Sequence, residues 1–427
     1  MEEAAAVTKR ARSGGSSAEE PDRLSALPDE LLRRVLSFLE SQDVVRTTLL
    51  SKRWVDLWRS MPAINLIYTP SCKWTWEKKD FATNLLMLHN AESMDAFKLV
   101  IYHLGHVDVR QDADRWIRRA VKYHPLLVDI SVPTPCNNRQ YQLHFPRLAS
   151  SLRRLKKLSF NCLHLEHSFA KLIRSGCPVL EDLVLLNCRN EFPDIQSDTL
   201  KSLVVRCCSS EAADVLRIKA PALSSLCLGF GLHEYTNGAS IEAGHSLVRA
   251  SVSLMTGAIP QRGATEILVG LVNVTSLELF GFHATVRDNV FQCICIQRRH
   301  SKISTRVKPI VVPVEFPMLE NLRTLFLDNC DLRDNYRLLR HFLESSPNLE
   351  KLTIRLCKLP GTSNGGKGKA KSKKTNSQLQ NVMHFQCQKL KSTEIIYKNC
   401  GKIPELVSIL LDISDTAPKN TITLTKF

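Results

Sequence analysis

Cysteine, histidine and lysine are the residues of this chain with chemistry to offer, and their spacing decides which kind. Fourteen cysteines and thirteen histidines would suffice for several zinc sites or a thiol nucleophile. A structural zinc site needs thiolates in close pairs, so that one turn presents both sulfurs to a tetrahedral ion. Here Cys207 and Cys208 are adjacent, Cys293 and Cys295 are one residue apart, and no pair of C-x-x-C units exists. His103 and His106 could share a helical face, but they adjoin an expected strand and lack a nearby third ligand. A reactive thiol needs an electropositive, partly open setting, whereas most of these cysteines recur at one position of a repeat and read as small buried apolar residues. There is no G-x-x-x-x-G-K-[ST] loop, no G-x-S-x-G elbow and no H-E-x-x-H pair. The expectation is a chain with no catalytic residues, no metal and no cofactor.

The elements that carry those cysteines are short strands. The clearest unit is Leu180-Glu-Asp-Leu183-Val-Leu185-Leu-Asn187-Cys188, which recurs as Leu322-Arg-Thr-Leu325-Phe-Leu327-Asp-Asn329-Cys330. Weaker copies centre on Leu158, Leu203, Leu226, Ala250, Leu277 and Leu352. From Leu183 the steps are 20, 23, 24 and 27 residues, and the step from Leu277 to Leu325 is 48. Either one repeat there has degenerated or an insertion is present; Val290 to Val314, basic at its centre, reads as an exposed loop. A Leu-x-Leu strand sends alternate side chains into one interior, and a repeat of 20–50 residues completes that interior only by stacking. Asn187, Asn329 and Asn399 would then bond backbone groups where the chain turns inward. Earlier in the chain, Ala63–Tyr68, Phe97–Tyr102 and Leu126–Val132 read as strands. Asp112 to His124 reads as a helix with Ala113, Trp116, Ile117, Ala120 and Val121 on its apolar face. Its Arg115, Arg118, Arg119 and Lys122 read as a solvated outer face.

Composition limits the remaining choices. Apolar content of 44% and charged content of 23% are those of a globular protein, and no apolar run approaches the roughly 20 residues of a membrane span. Without a signal-peptide stretch, a nuclear or cytoplasmic location is expected, and Lys9-Arg10-Ala11-Arg12 could act as a nuclear address. The net charge of +16 raises nucleic acid as a partner. Five of those charges lie between Lys367 and Lys374, in a low-complexity stretch with no aromatic residue to stack on bases. Arg298, Arg299, Lys302, Arg306 and Lys308 form a second basic group.

The N-terminal region has the opposite character. After Pro28, suited to a first helical turn, Leu31, Leu32, Val35, Leu36 and Leu39 form a wide apolar stripe. Asp43 reads as the cap of a second helix carrying Val44, Val45, Leu49 and Leu50, and Ser51 as the cap of a third carrying Trp54, Leu57 and Trp58. About 40 residues cannot bury so much apolar surface alone. The surplus calls for a partner surface or for the rest of this chain.

Asp22-Arg23-Leu24, Leu27-Pro28, the Leu31/Val35/Leu36/Leu39 stripe and Ser51-Lys52-Arg53-Trp54 with Leu57-Trp58 together resemble the F-box. The repeats resemble leucine-rich repeats. Leu390–Tyr397, a helix near Pro404–Leu411 and Thr421–Thr425 resemble the FBD region that closes many plant F-box/leucine-rich-repeat proteins, although Thr393 stands where an aliphatic residue is usual. The resemblance implies an α+β chain with a three-helix F-box followed by an irregular α/β leucine-rich-repeat solenoid with a parallel strand face. Its expected units are a disordered tail (1–21), the F-box (22–63), strand/helix repeats (64–150), leucine-rich repeats (151–360), a disordered lysine-rich loop (361–378) and an FBD-like cap (379–427). The function implied is that of a non-catalytic substrate-recognition subunit of a Skp–cullin–F-box ubiquitin ligase. Leu27, Pro28, Leu31, Val35, Leu36, Leu39, Leu50, Trp54 and Trp58 would face the Skp-type adaptor, some of them holding the helices together instead. The repeats would recruit an unidentified protein. A nuclear nucleic-acid-associated protein using the basic loop, or an adaptor-bound scaffold without a degraded target, are the other readings.

Overall fold

The computed structural model describes residues 24, 26–68, 75–102, 107–133, 143–147, 152–210, 214–230, 235, 237–254, 266–282, 316–334, 336–360, 387, 389–398, 403–414 and 420–427. His103, His106, Cys293, Cys295, Asn399, the Asp22-Arg23 pair, the 9–12 basic cluster, the 290–314 stretch and the lysine tract at 367–374 lie outside these residues.

Thirteen strands form one sheet in which every pair is parallel: β1 (Ala63–Tyr68), β2 (Ala96–Ile101), β3 (Leu127–Ser131), β4 (Lys157–Asn161), β5 (Asp182–Leu186), β6 (Ser202–Arg206), β7 (Ser225–Phe230), β8 (Arg249–Leu254), β9 (Ser276–Phe280), β10 (Thr324–Asp328), β11 (Lys351–Arg355), β12 (Ser392–Tyr397) and β13 (Thr421–Lys426). Their spatial order is their chain order. The register makes the repeat physical. Ile64, Phe97, Val128, Leu158, Leu183, Leu203, Leu226, Ala250, Leu277, Leu325, Leu352, Thr393 and Ile422 stand side by side. A second row two residues on runs from Leu66 to Leu424 through Phe160, Leu185 and Ile354. Parallel sheets usually bury both faces. This one alternates buried with half-buried positions along its strands, so among the described residues only one face is packed. Against that face lie residues from the connecting segments, among them Phe169, Ile195, Ile218 and Leu339.

β9 pairs directly with β10. The 48-residue step therefore joins two strands that are neighbours in the sheet, with no repeat strand between them. Thr393 fits its aliphatic slot because its hydroxyl, fully buried, bonds Asn420 Oδ1 at 3.2 Å. Two small parallel sheets, of four and three strands, lie on the connecting segments. Their strands run two to four residues, too short for any periodicity to announce.

The strand ends correct two expectations. Asn187 and Asn329 are exposed, and both adopt left-handed backbone with φ of 51° and 50°. Cys162, Cys207 and Gly281 follow their own strands in the same conformation. Asparagine is there because it tolerates that conformation, not because it bonds buried backbone. The cysteines one step later do that work. Cys188, Cys208, Cys330 and Cys357 each set their thiol between two carbonyls, one a repeat back (Phe160, Leu185, Leu279 and Leu327, at 3.4–3.7 Å) and one two residues earlier in the chain (Leu186, Arg206, Asp328 and Arg355, at 3.3–3.5 Å). They are hydrogen-bonding groups as well as small apolar ones. Cys207 is exposed, against the expectation of burial.

The helices of the first repeats follow their patterns closely. The helix Val107–Val121 begins five residues before the expected start, buries Ala113, Trp116, Ile117, Ala120 and Val121, and exposes Arg115, Arg118 and Arg119. Arg115 pairs with Asp112 and Arg118 with Asp114 on the helix's own surface.

Candidate functional site: an uncovered apolar face at the amino end

Ahead of the sheet stand α1 (Asp29–Leu36), α2 (Ser41–Arg46), a 3-10 turn (Thr47–Leu49) and α3 (Arg53–Arg59). The N-caps are Pro28, Glu40 and Lys52, one to three residues from the expected positions. Pro28 is the N-cap of α1, extended at ψ 147°, so the helix begins at Asp29. α2 starts at Ser41, which leaves Asp43 in its first turn, paired with Arg46 at 2.8 Å. α3 is preceded by Lys52; Ser51 contributes its carbonyl, which accepts the Trp54 N–H at 3.1 Å.

The helices are joined to the sheet. Leu32, Leu36, Val44, Trp54, Leu57, Trp58 and Met61 belong to the same core as the strands. The amide of Asn65 on β1 donates to Ser41 Oγ at 2.9 Å, so α2 covers part of an edge that would otherwise offer unpaired amides.

Among the described residues, nothing covers the other side of α1. Leu31 and Leu39 are exposed, Val35 is 56% exposed and Phe38 is 80% exposed. On and after the 3-10 turn, Leu49 is 88% and Leu50 is 62% exposed. Pro28 is exposed and Leu27 half-buried against the core. Of the nine residues expected to face a partner, the structure thus exposes Pro28, Leu31, Val35, Leu39 and Leu50, and places Leu36, Trp54 and Trp58 inside.

Phe38 and Leu49 were missed. The signal for Phe38 was present in the spacing: Leu31, Val35 and Phe38 follow steps of four and three, offset by one residue from the inward pair Leu32 and Leu36. A helix apolar on two faces sits between two surfaces, and a single wide stripe conceals this.

Arg53, recognised only as part of a motif, holds the geometry. Its Nε donates to Asp29 Oδ1 at 2.8 Å and its Nη2 to the Leu27 carbonyl at 2.6 Å, tying the start of α3 to the start of α1. Arg33 ties α1 to the end of α3 through Ser60 Oγ at 3.1 Å. The carboxylate of Asp29 also lies in the first turn of α1, where the helix dipole favours it. Replacing Arg53 by Ala is expected to cost the fold about 1 kcal/mol, because the pair is part-exposed, while weakening any partner that reads the angle of α1 by about tenfold. Calorimetric titration beside a thermal melt checks both numbers, and Arg53→Lys should not rescue, since it lacks the forked donors.

An all-parallel sheet built of leucine repeats, headed by helices with an uncovered apolar face, defines a repeat protein organised for protein contacts. Residues 24–64 match the F-box domain model, and residues 135–247 match the model for the LRR repeats of FBD-associated F-box protein At5g56370. The MEIOTIC F-BOX protein MOF of Oryza sativa subsp. japonica is 31% identical over 408 residues, 88% of this chain and 80% of that protein. An F-box/FBD/LRR-repeat protein of Arabidopsis thaliana is 25% identical across 95% of this chain and 89% of its own length. A putative FBD-associated F-box protein of the same plant is 32% identical over 48% of this chain and 57% of its own length. The chain belongs to the plant F-box/FBD/LRR-repeat family. F-box domains generally bind Skp-type adaptors, and proteins of this family are typically non-catalytic. Among the described residues, no group of three or more His, Cys, Asp or Glu side chains could hold a metal ion, and no helix is long and apolar enough to cross a membrane.

Proposed function

We propose that this chain is the substrate-recognition subunit of a Skp–cullin–F-box ubiquitin ligase. The helices at its amino end dock the Skp-type adaptor, and the solvent-facing side of the strand array, stacked as a leucine-rich-repeat solenoid, recruits a target protein. The observation that carries the reading is the exposed set Leu31, Val35, Phe38, Leu49 and Leu50 on helices whose other side is already packed. Side chains of that size left in water on a folded module mark a protein contact. The chain itself does no bond chemistry in this reading. It contributes by proximity, since a lysine held near the charged thioester meets it at a high effective concentration.

The nuclear or cytoplasmic location belongs to the same proposal. Co-expression with a Skp-type adaptor and a cullin amino-terminal fragment, followed by size-exclusion chromatography, tests it. One equimolar complex is expected, and a chain that elutes alone and folded rejects the reading.

A further inference from the structure

A groove of about 490 Å³ lies at the opposite end of the sheet, where β10, β11 and β12 finish and the helix Ile403–Ser414 begins. That size suits a few side chains of a ligand. Its half-buried or exposed lining combines Leu356, Ile396 and Tyr397 with the cations Arg355, Lys358 and Lys398. Among the described residues Asp328 is the one acidic side chain that lines it, and Arg355 already holds that carboxylate at 2.6 Å. Among the described residues no carboxylate pairs with Lys358 or Lys398.

Two further features mark this groove. Leu356 has φ of 49°, at the turn position that Cys162, Asn187, Cys207, Gly281 and Asn329 fill elsewhere. A leucine there costs on the order of 1 kcal/mol relative to glycine, and Leu356 stays only half-buried, so the core gives little back. A local conflict without a packing gain is typical of a binding position. Arg355 is also fixed in advance. Its guanidinium lies 5.6 Å from the Phe326 ring centroid, and its Nε is buried without a hydrogen-bond partner.

We propose that this groove binds an extended acidic–aliphatic peptide segment of the recruited protein, an inference that rests on the recruitment reading above. The aliphatic side chains lie on Leu356, Ile396 and Tyr397, and the carboxylates meet Lys358, Lys398 and the open edge of Arg355. Charge complementarity selects the acidic partner. Among the described residues Tyr397 is the one aromatic ring in the lining, which disfavours nucleic acid, since that needs stacking platforms.

The test is fluorescence anisotropy on the full chain bound to its adaptor, with three labelled probes. These are a degenerate octapeptide pool alternating Asp/Glu with Leu/Ile/Val, the same pool with Asn/Gln for the acids, and an oligo(U) strand. The acidic pool should bind about tenfold tighter than the amide pool and weaken with salt. Lys358→Glu with Lys398→Glu should abolish that preference. Leu356→Asn should lower affinity about fivefold without lowering the melting temperature, which a purely structural leucine would not do. Equal binding of the amide pool, tighter binding of oligo(U), or indifference to both variants overturns the proposal. Adaptor binding is read on the same sample: if it persists while the peptide preference is absent, only the groove assignment fails, and if it is absent the recruitment reading fails with it.

Discussion

Glutamate at both Val35 and Leu49 is expected to reduce adaptor affinity by at least about a thousandfold, close to 4 kcal/mol, while the melting temperature stays within a degree or two. The asymmetry follows from where the side chains lie. Val35 and Leu49 are 56% and 88% exposed, so a carboxylate at either remains hydrated in the free protein. Surface substitutions of that kind usually change stability by less than about 0.5 kcal/mol. In a docked complex the same carboxylates would be stripped of water against apolar side chains, which costs several kcal/mol without a counter-charge. Leu36→Glu is the informative control. Leu36 is buried, so that variant should unfold the helical region and lose adaptor binding for a trivial reason. Titration calorimetry at matched melting temperature separates the two cases. Undiminished affinity of the Val35/Leu49 double variant would place the contact on another surface.

That control shows what the sequence could and could not reveal. Leu-x-Leu spacing identified the strands because a period of two admits only one inward set, and the register confirms it from Leu158 to Leu352. Even Ala250 keeps its slot between Leu226 and Leu277. On α1 the same reasoning was weaker. Leu31, Leu32, Val35 and Leu36 all look alike as letters, and only packing against Trp54, Leu57 and Trp58 decides which pair is covered. The expectation of helices too greasy for their own core is half met by the sheet and half left open.

The capping residues were misplaced by one to three positions because the chain used alternatives to side-chain caps. No side-chain cap bond closes α1, α2 or α3. The thiol-to-carbonyl bonds were invisible for a different reason. They link neighbouring repeats, and nothing local in the chain distinguishes a cysteine that donates from one that merely fills space.

Gly281→Ala is the substitution expected to harm the repeat array most for the fewest atoms, at about 3 kcal/mol or more. Gly281 follows β9 with φ of 69°, and its N–H donates to the Asp328 carbonyl at 2.9 Å. A Cβ built there would lie 2.2 Å from the Leu254 carbonyl oxygen, a backbone atom of β8 with no side-chain freedom to yield. The left-handed conformation alone would cost an alanine about 1 kcal/mol. The rest comes from moving one strand away from the next. Asn329→Gly supplies the comparison. It changes the equivalent turn after β10, where φ is 50°, and is expected to alter stability by less than about 0.5 kcal/mol. Urea midpoints at constant slope measure both. The contrast matters because β9 is the strand from which the 48-residue step departs, and β10 still pairs with it residue for residue from Ser276 to Phe280. Gly281 closes β9 onto β10 at the start of that step, so a similar small cost for both variants would mean that the register is held from elsewhere.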